Sequence, residues 1–438
     1  MNKENKTESA QIDTYSQKSY KVSRGAYTAE CAFEYFVSLL VADAFLSSLL
    51  KYLGFKDSTT GIILSLISLA FLFQLFSLYL VKKIVNTKLT AILFHFTSQI
   101  FFMSLYLVPF FHIPSAYKKI VVVACILIAY FGNYVVTSVI FNWGMSFVDV
   151  KKRGIFGANK EMISLASGVV FSLVMGYAVD KFAENGNIEG GFIFTAAALL
   201  VSALLDLTCL LIMKNDVKEK KKDGEESIFS VIKNLFKNRA FIAMVILSSL
   251  WNIAAYSVTG FMGTYKIVDL GLTVGAVQII NIVACLSRFA VSRPFGKYSD
   301  KTSYSKGITL GFAIAALAFL VNVFTSPSLW QMVIVFTILY NVCMAGIYQN
   351  NLNMTYTYVE KEYFVQATAI KSAISGVCGF LSAIVAGKIL DAVQKNGNTV
   401  FGIEMRGQQL LSAIAFVITV ILILFVHFVV EKHKKIEE

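Results

Sequence analysis

Twelve long apolar segments constrain this chain more than any other feature. They lie at 29–50, 59–81, 89–112, 118–146, 155–180, 190–213, 240–266, 272–293, 306–326, 328–357, 364–391 and 403–430. The bilayer core offers no water to unpaired backbone groups, so a spanning segment forms a helix of about 20 residues. Only 15% of the 438 residues are charged, whereas soluble domains carry about 25%. The sequence therefore predicts an all-α polytopic membrane protein with twelve transmembrane helices and disfavours a soluble enzyme.

The segments form two groups of six, separated by the longest polar stretch inside the chain, KNDVKEKKKDGEESIFSVIKNLFKNR. The first 28 residues lack the apolar core of a secretory signal peptide. We therefore predict five regions. They are a cytoplasmic tail at 1–28, a six-helix bundle at 29–213, a cytoplasmic linker at 214–239, a second six-helix bundle at 240–430 and a cytoplasmic tail at 431–438.

The formal net charge of +12 is explained by topology. Lys and Arg are enriched in the cytoplasmic loops of membrane proteins. If the N terminus is cytoplasmic and the segments alternate in direction, 30 of the 39 Lys and Arg residues lie on the cytoplasmic side. We therefore predict a multi-pass protein of the cell membrane with both termini cytoplasmic. Its expected partners are the lipid bilayer and a small-molecule substrate, without nucleic acid, and we expect a monomer.

The two halves share an internal repeat with an offset of 211 residues. This shift superposes Lys160 on Lys371 and Gly168 on Gly379. Further matches are Asn142 with Asn353, Val148 with Val359, Ala158 with Ala369, Ile163 with Ile374, Ser164 with Ser375, Gly176 with Gly387 and Asp180 with Asp391. Because six spans separate the copies, both halves run through the membrane in the same direction, as in parallel-repeat transporters.

Two cytoplasmic loops carry a family signature. The loop after the eighth segment reads RPFGKYSDKTSYSKG and contains Gly296, Asp300 and Lys301; the loop after the fourth reads FVDVKKRGIFGANK and contains Asp149 and Arg153. Both resemble loops of the major facilitator superfamily, and with the six-plus-six plan the resemblance covers nearly the whole chain. It implies two pseudo-symmetric six-helix bundles (the MFS fold) and a secondary transporter that works by alternating access.

The resemblance also implies that these loops brace a cytoplasmic gate. To their residues we add the repeat mates Lys160 and Lys371 as salt-bridge candidates. The predicted gate residues are Asp149, Arg153, Lys160, Gly296, Asp300, Lys301 and Lys371. In the first half, Leu78 and Lys82 stand where the signature has Gly and Asp, which weakens that copy. Two alternatives stay open: basic loops follow from topology alone, and long lysines can reach the membrane interface.

Acidic residues inside spans are costly and therefore informative. We predict Glu34 and Asp43 in the first segment and Asp206 in the sixth as coupling carboxylates. On a straight helix, nine residues at about 100° each place Asp43 opposite Glu34. Glu30 lies near the cytoplasmic end and is expected to be solvated. His95 is expected to be a packed or hydrogen-bonded histidine, and we expect no metal site, since the four histidines lack metal-ligand spacing.

Amides and aromatic residues are concentrated in the fourth, seventh and tenth segments. In the superfamily, these spans and the first line the central cavity, so the resemblance places substrate there. The predicted substrate-binding residues are Asn133, Asn142, Trp143, Trp251, Asn252, Tyr256, Asn341 and Gln349. Amides and flat rings suit a neutral, hydroxyl-rich ligand. Aromatic residues also populate membrane interfaces, which is the alternative explanation.

The sequence contains no pattern of an enzyme or an ATP-driven pump. Walker-type GxxxxGK, HExxH and GxSxG are all absent. We expect no cofactor, and energy from a proton or sodium gradient or from the substrate's own gradient. The favoured function is proton- or cation-coupled symport of a small polar organic solute such as a sugar or glycoside. Efflux of amphipathic drugs or metabolites by antiport is the alternative, and a non-transporting membrane sensor is the alternative of another class.

Overall fold

The computed structural model describes residues 19–83, 87–148, 153–214, 228–360, 363–400 and 402–432, and this part of the chain is almost entirely helical. The helices of the first half are α1 Ser19–Leu40, α2 Asp43–Tyr52, α3 Asp57–Leu64, α4 Leu66–Lys83, α5 Thr87–Leu105, α6 Ser115–Ser146, α7 Arg153–Glu184 and α8 Ile188–Ile212. A 3₁₀ turn, Val108–Phe110, lies between α5 and α6.

The second half begins with a short helix in the predicted linker. Its helices are α9 Ile228–Leu235, α10 Arg239–Thr264, α11 Val274–Lys301, α12 Tyr304–Val323, α13 Met332–Tyr358, α14 Phe364–Lys395 and α15 Gly407–Phe428. A five-residue π-helix, Tyr265–Asp269, extends α10. Two short antiparallel strands, β1 Thr399–Val400 and β2 Ile403–Glu404, form a hairpin before α15. A 3₁₀ turn, Val430–Lys432, follows α15.

Eleven helices in the described part of the chain are long and apolar enough to cross a membrane. A twelfth span is completed if Tyr20–Leu40 and Asp43–Tyr52 count as one span with a bend of 42°. The prediction of an all-α polytopic membrane protein is therefore confirmed. The first span differs in its bounds, since α1 already begins at Ser19 and includes Lys21 and Arg24 in its first turns.

The first span is broken at Asp43, where φ is +41°. Asp and Asn tolerate this left-handed conformation better than most residues because their short polar side chains bond locally. The carbonyl of Leu40, where α1 ends, accepts a hydrogen bond from the Tyr106 hydroxyl at 2.5 Å. The assumption of a straight first helix, which placed Asp43 opposite Glu34, is therefore wrong.

The chain forms two compact units. Unit 1 consists of Met1–Ala42 and Phe76–Lys222, and unit 2 consists of Asp43–Leu75 and Asp223–Glu438. Helices α2 and α3 and the first half of α4 thus pack with the helices of the second half of the sequence. The predicted boundaries of the two bundles, 29–213 and 240–430, follow the sequence repeat and stay a prediction.

Unit 1 is built around the contacts of α1 with α7 and α8, and of α5 with α6 and α8. Apolar side chains fill these contacts because each helix is apolar over most of its surface. Stacked rings of Phe36 and Phe171, with centroids 4.3 Å apart, join α1 to α7. This packing places α1, α5 and α8 side by side, so the polar residues that they carry into the interior meet each other.

Unit 2 has a continuous apolar core in which α10 packs against α3, α14 and α15, and α13 packs against α11 and α12. Glycines allow the closest approaches. A Cβ on Gly376 of α14 would lie 2.2 Å from the carbonyl oxygen of Ser68 in α4. A Cβ on Gly61 of α3 would overlap the Phe261 ring of α10. Only glycine lets these helix pairs approach so closely.

Candidate functional site

A cluster of ionisable side chains is buried inside unit 1. It consists of Glu30 from α1, His95 from α5 and Asp206 from α8, each only 1% exposed. One ligand atom from each residue lies within 4.8 Å of those of the other two. His95 Nε2 is 2.7 Å from Asp206 Oδ2. The expectation that Glu30 is solvated is therefore wrong, and the expectation that His95 is hydrogen-bonded is confirmed.

Gln99 completes this cluster from the next turn of α5. Its Nε2 lies 2.5 Å from Asp206 Oδ2 and 2.8 Å from His95 Nε2. The thiol of Cys31 donates to Glu30 Oε2 at 3.1 Å. Sequence reasoning missed the roles of Glu30, His95 and Gln99 here. The available signal was a histidine and a glutamine four residues apart in the third apolar segment, which places two polar groups on one helix face.

The other predicted coupling residues lie outside this cluster. Glu34, one turn after Glu30, is half-buried. Asp43 belongs to unit 2, where its Oδ2 accepts hydrogen bonds from Lys266 Nζ at 3.1 Å and from Asn281 Nδ2 at 2.9 Å. Lys266 is almost fully buried in the π-helix after α10. An ion pair with Lys266 and a hydrogen bond from Asn281 thus hold the break in the first span. The three predicted coupling acids, Glu34, Asp43 and Asp206, do not form one cluster.

The repeat mates Lys160 and Lys371 have different surroundings. Lys160 Nζ donates to the Tyr27 hydroxyl at 3.3 Å and to Cys31 Sγ at 3.2 Å, and it lies 4.7 Å from the centre of the Tyr27 ring. Lys371 is 4% exposed. Its ammonium donates to both oxygens of Asn351, at 3.1 Å each, and to Thr355 Oγ1 at 2.7 Å. Lys371 is thus enclosed by α13 and α14 of its own unit.

The remaining gate predictions gain little from the structure. Asp149 lies outside the described residues, and Arg153 begins α7. Gly296, Asp300 and Lys301 lie on the last turns of α11, with the two charged side chains exposed. Lys371 has neutral acceptors and, within the described part of the chain, no carboxylate partner. The gate role of all seven residues stays a prediction.

Three of the predicted substrate residues lie on α10 in unit 2. Trp251 of α10 is 6% exposed, and its ring lies parallel to that of Tyr340, with centroids 6.3 Å apart and planes at 17°. Asn252, the residue after Trp251, and Tyr256, one turn after Asn252, lie against Gly379 of α14. The absence of a side chain at Gly379 leaves room for both. Tyr340 of α13 is not among the predicted substrate residues, and its contact with Trp251 appears only in the packing.

The other predicted substrate residues are dispersed. The Trp143 indole donates to the Lys214 carbonyl at 2.8 Å, which lies just beyond α8. The Asn341 amide donates to the carbonyl of Thr337 in its own helix at 2.9 Å. The carbonyl and side-chain oxygens of Asn133 accept from the Thr137 hydroxyl. Asn142 and Gln349 are exposed. Their role in substrate binding stays a prediction.

Bundled apolar helices with polar groups buried inside them define a polytopic membrane protein. The family model of the Major Facilitator Superfamily matches residues 31–303 and 289–438. The chain belongs to this superfamily, as the loop signatures predicted, and it is a secondary transporter.

Solved structures show the same fold at low sequence identity. A mutant of the nucleoside transporter NupG is 14% identical, with a TM-score of 0.71 over 92% of this chain and 99% of that one. A bacterial homologue of the human lysosomal transporter Spinster, inward-facing and unoccupied, is 14% identical, with a TM-score of 0.67 over 94% and 97%. An auto-inhibited POT family peptide transporter is 10% identical, with a TM-score of 0.69 over 96% and 98%. No curated protein sequence matches the chain.

Proposed function

We propose that this protein is a proton- or cation-coupled symporter of a small, polar, uncharged organic solute, with a sugar or glycoside favoured. The observation that carries the proposal is the aromatic and amide group in unit 2. The parallel rings of Trp251 and Tyr340 lie in the interior of a membrane protein, and Asn252 and Tyr256 follow Trp251 on α10. Flat rings pack against the C–H faces of a sugar, while amide and phenol groups exchange hydrogen bonds with its hydroxyls.

Coupling is proposed at the first span. Glu34 is a half-buried carboxylate on α1, and Asp43 occupies the break between α1 and α2. A proton or cation that neutralises Asp43 would weaken its ion pair with Lys266. Since this pair joins the first span to the end of α10, its loss would free the break to change angle. Cation binding would thereby become linked to conformation.

The solute is tested by a thermal-shift screen of the purified protein against sugars, glycosides, nucleosides, amino acids and drugs. We expect stabilisation by a sugar or glycoside, because a ligand that binds the folded state raises the melting temperature. Trp251→Ala should remove the shift, and Trp330→Ala should retain it, since Trp330 is exposed in the segment before α13. A shift with drugs alone, accompanied by drug resistance on expression, would favour efflux instead.

Coupling is tested by uptake into cells or proteoliposomes with the solute found in that screen. In Glu34→Gln, accumulation against a gradient should fall to the level reached with a protonophore. Counterflow exchange should persist, because exchange needs no net movement of the coupling ion. Glu404→Gln, in the exposed hairpin, is the matched control. Uphill uptake that stays normal in both Glu34→Gln and Asp43→Asn would overturn this assignment.

A further inference from the structure

We propose that Glu30, His95 and Asp206 form a binding site for a divalent transition-metal ion of the zinc type. The three side chains come from α1, α5 and α8 of unit 1 and are each 1% exposed. Their ligand atoms lie within 4.8 Å of one another. Sequence spacing gave no hint of this site, because its ligands come from three distant segments. The proposal is independent of the solute and of the coupling residues proposed above.

The donor set fits an ion that accepts both nitrogen and oxygen. Zn²⁺ is commonly bound by imidazole nitrogen and carboxylate oxygen at about 2.0 to 2.2 Å, so ligand atoms around one ion lie roughly 3 to 4.4 Å apart. The His95 Nε2 to Asp206 Oδ2 distance of 2.7 Å is that of a direct hydrogen bond, so the two atoms would move apart by a few tenths of an ångström to share an ion. Mg²⁺ prefers six oxygen ligands, including several waters, and does not suit this buried set.

A divalent ion would also balance the charge of this cluster, in place of a protonated His95 beside Asp206. Two ionised carboxylates in a membrane interior are costly unless they are compensated. Among the described residues, no Lys or Arg forms an ion pair with Glu30 or Asp206. The nearby Lys160 ammonium instead contacts Tyr27 and Cys31. One divalent ion would neutralise both carboxylates while leaving the imidazole neutral, which is the form that binds metal.

Unsatisfied polar atoms supply the second, independent observation. Asp206 Oδ1, His95 Nδ1 and Gln99 Oε1 are buried without a hydrogen-bond partner. Most buried polar atoms have a partner, and three exceptions around a single cluster call for an explanation. A bound ion would engage the free carboxylate oxygen of Asp206. The Gln99 amide, through its contacts with His95 and Asp206, would hold both side chains in place.

The site is tested by metal titration of the full chain without a histidine tag, purified in detergent and stripped with a chelator. We expect one Zn²⁺ per chain by calorimetry, a higher melting temperature with Zn²⁺, and no effect of Mg²⁺ at the same concentration. Co²⁺ should give visible absorption bands that report nitrogen and oxygen ligands. Binding is measured without any solute, so its failure would leave the transport proposal intact, and the converse also holds.

Two variants should lose the metal. His95→Gln and Asp206→Asn each remove one ligand with little change of shape, and both should weaken Zn²⁺ binding at least about tenfold. His112→Gln and Glu404→Gln are matched controls, because His112 and Glu404 are exposed; both should bind as the parent does. Equal affinity in all five proteins, or no binding by the parent, would overturn the proposal.

A gain of function guards against variants that merely misfold. His95→Cys replaces the imidazole with a soft thiolate, so it should shift preference from Zn²⁺ towards Cd²⁺ and create a thiolate-to-metal absorption band with Cd²⁺. If the cluster holds a proton instead of a metal ion, infrared spectroscopy should detect a protonated carboxylic acid. A carboxylic-acid infrared band at neutral pH that is lost in Asp206→Asn and unaffected by Zn²⁺ would overturn the metal site.

Discussion

Lys371 shows how a single residue adapts to the membrane interior. Its ammonium is buried and held by three neutral oxygens, two from Asn351 and one from Thr355. Desolvating an ammonium costs several kcal/mol, which good hydrogen bonds only partly offset. The acceptors also serve each other, since the Thr355 hydroxyl donates to the Asn351 carbonyl at 3.0 Å. Loss of an acceptor should therefore destabilise the Lys371 ammonium more than loss of the ammonium destabilises Asn351 and Thr355.

This asymmetry predicts unequal effects of two substitutions. Lys371→Met removes the buried charge and keeps the volume, so we expect a change in unfolding free energy within about 1 kcal/mol. Thr355→Val removes one of the three acceptors of a buried ammonium and should cost about 1.5 to 3 kcal/mol. In the double variant, the cost of Thr355→Val should largely disappear. Denaturation of the three variants in detergent measures the cycle, and additive effects would contradict this account.

Glycines at the contacts between secondary-structure elements determine how closely two helices approach each other. Helix α14 meets α4 at Gly376, where a Cβ would lie 2.2 Å from the Ser68 carbonyl oxygen. A backbone atom cannot move aside as the end of a side chain can. By contrast, Gly25 in α1 has nothing within 4 Å of its Cβ position. The two glycines thus differ in their packing, although both lie inside helices.

We predict opposite effects of alanine at these two positions. Gly376→Ala should destabilise unit 2 by about 1 to 3 kcal/mol, because α14 and α4 must separate. Gly25→Ala should stabilise α1 by about 0.5 to 1 kcal/mol through its better helix propensity. Melting temperatures of the two variants under identical detergent conditions test the pair. If both alanines stabilise, the close contact at Gly376 does not constrain the fold.

Across the whole molecule, the basic residues are distributed unevenly between the two sides of the predicted topology, and this distribution predicts the orientation. With the N terminus in the cytoplasm, 30 of the 39 Lys and Arg residues fall on that side. Insertion obeys this bias because basic loops resist transfer across the membrane. The orientation is a property of the chain's order of segments and does not depend on the packing inside either unit.

Cysteine labelling on intact cells tests this orientation. In a background that lacks the six native cysteines, Lys395→Cys at the end of α14 should react with a membrane-impermeant thiol reagent. Lys237→Cys, just before α10, should react only after the cells are permeabilised. Both positions are exposed in the structure, so access to reagent depends on membrane side alone. The reverse pattern would place the termini outside the cell.

Much of the fold could be predicted from the sequence. The spans α5 to α8 and α10 to α15 lie near the predicted segments, since hydrophobic length is a local property of the chain. Most of the polar contacts between helices could not be predicted from the sequence. The prediction treated the first span as straight, whereas Asp43 adopts a positive φ and pairs with Lys266. A break that depends on a distant partner leaves no local pattern.

The sequence by itself determined the class of protein, the six-plus-six order of segments and the expected orientation, because apolar length and basic charge act locally. Only the tertiary structure decided which polar residues meet. Glu30, His95 and Asp206 are far apart in the chain and converge because α1 and α5 both pack against α8. Trp251 and Tyr340 likewise meet only through helix packing in unit 2. Contacts between distant segments depend on helix neighbours and crossing geometry, which the composition of each helix does not specify.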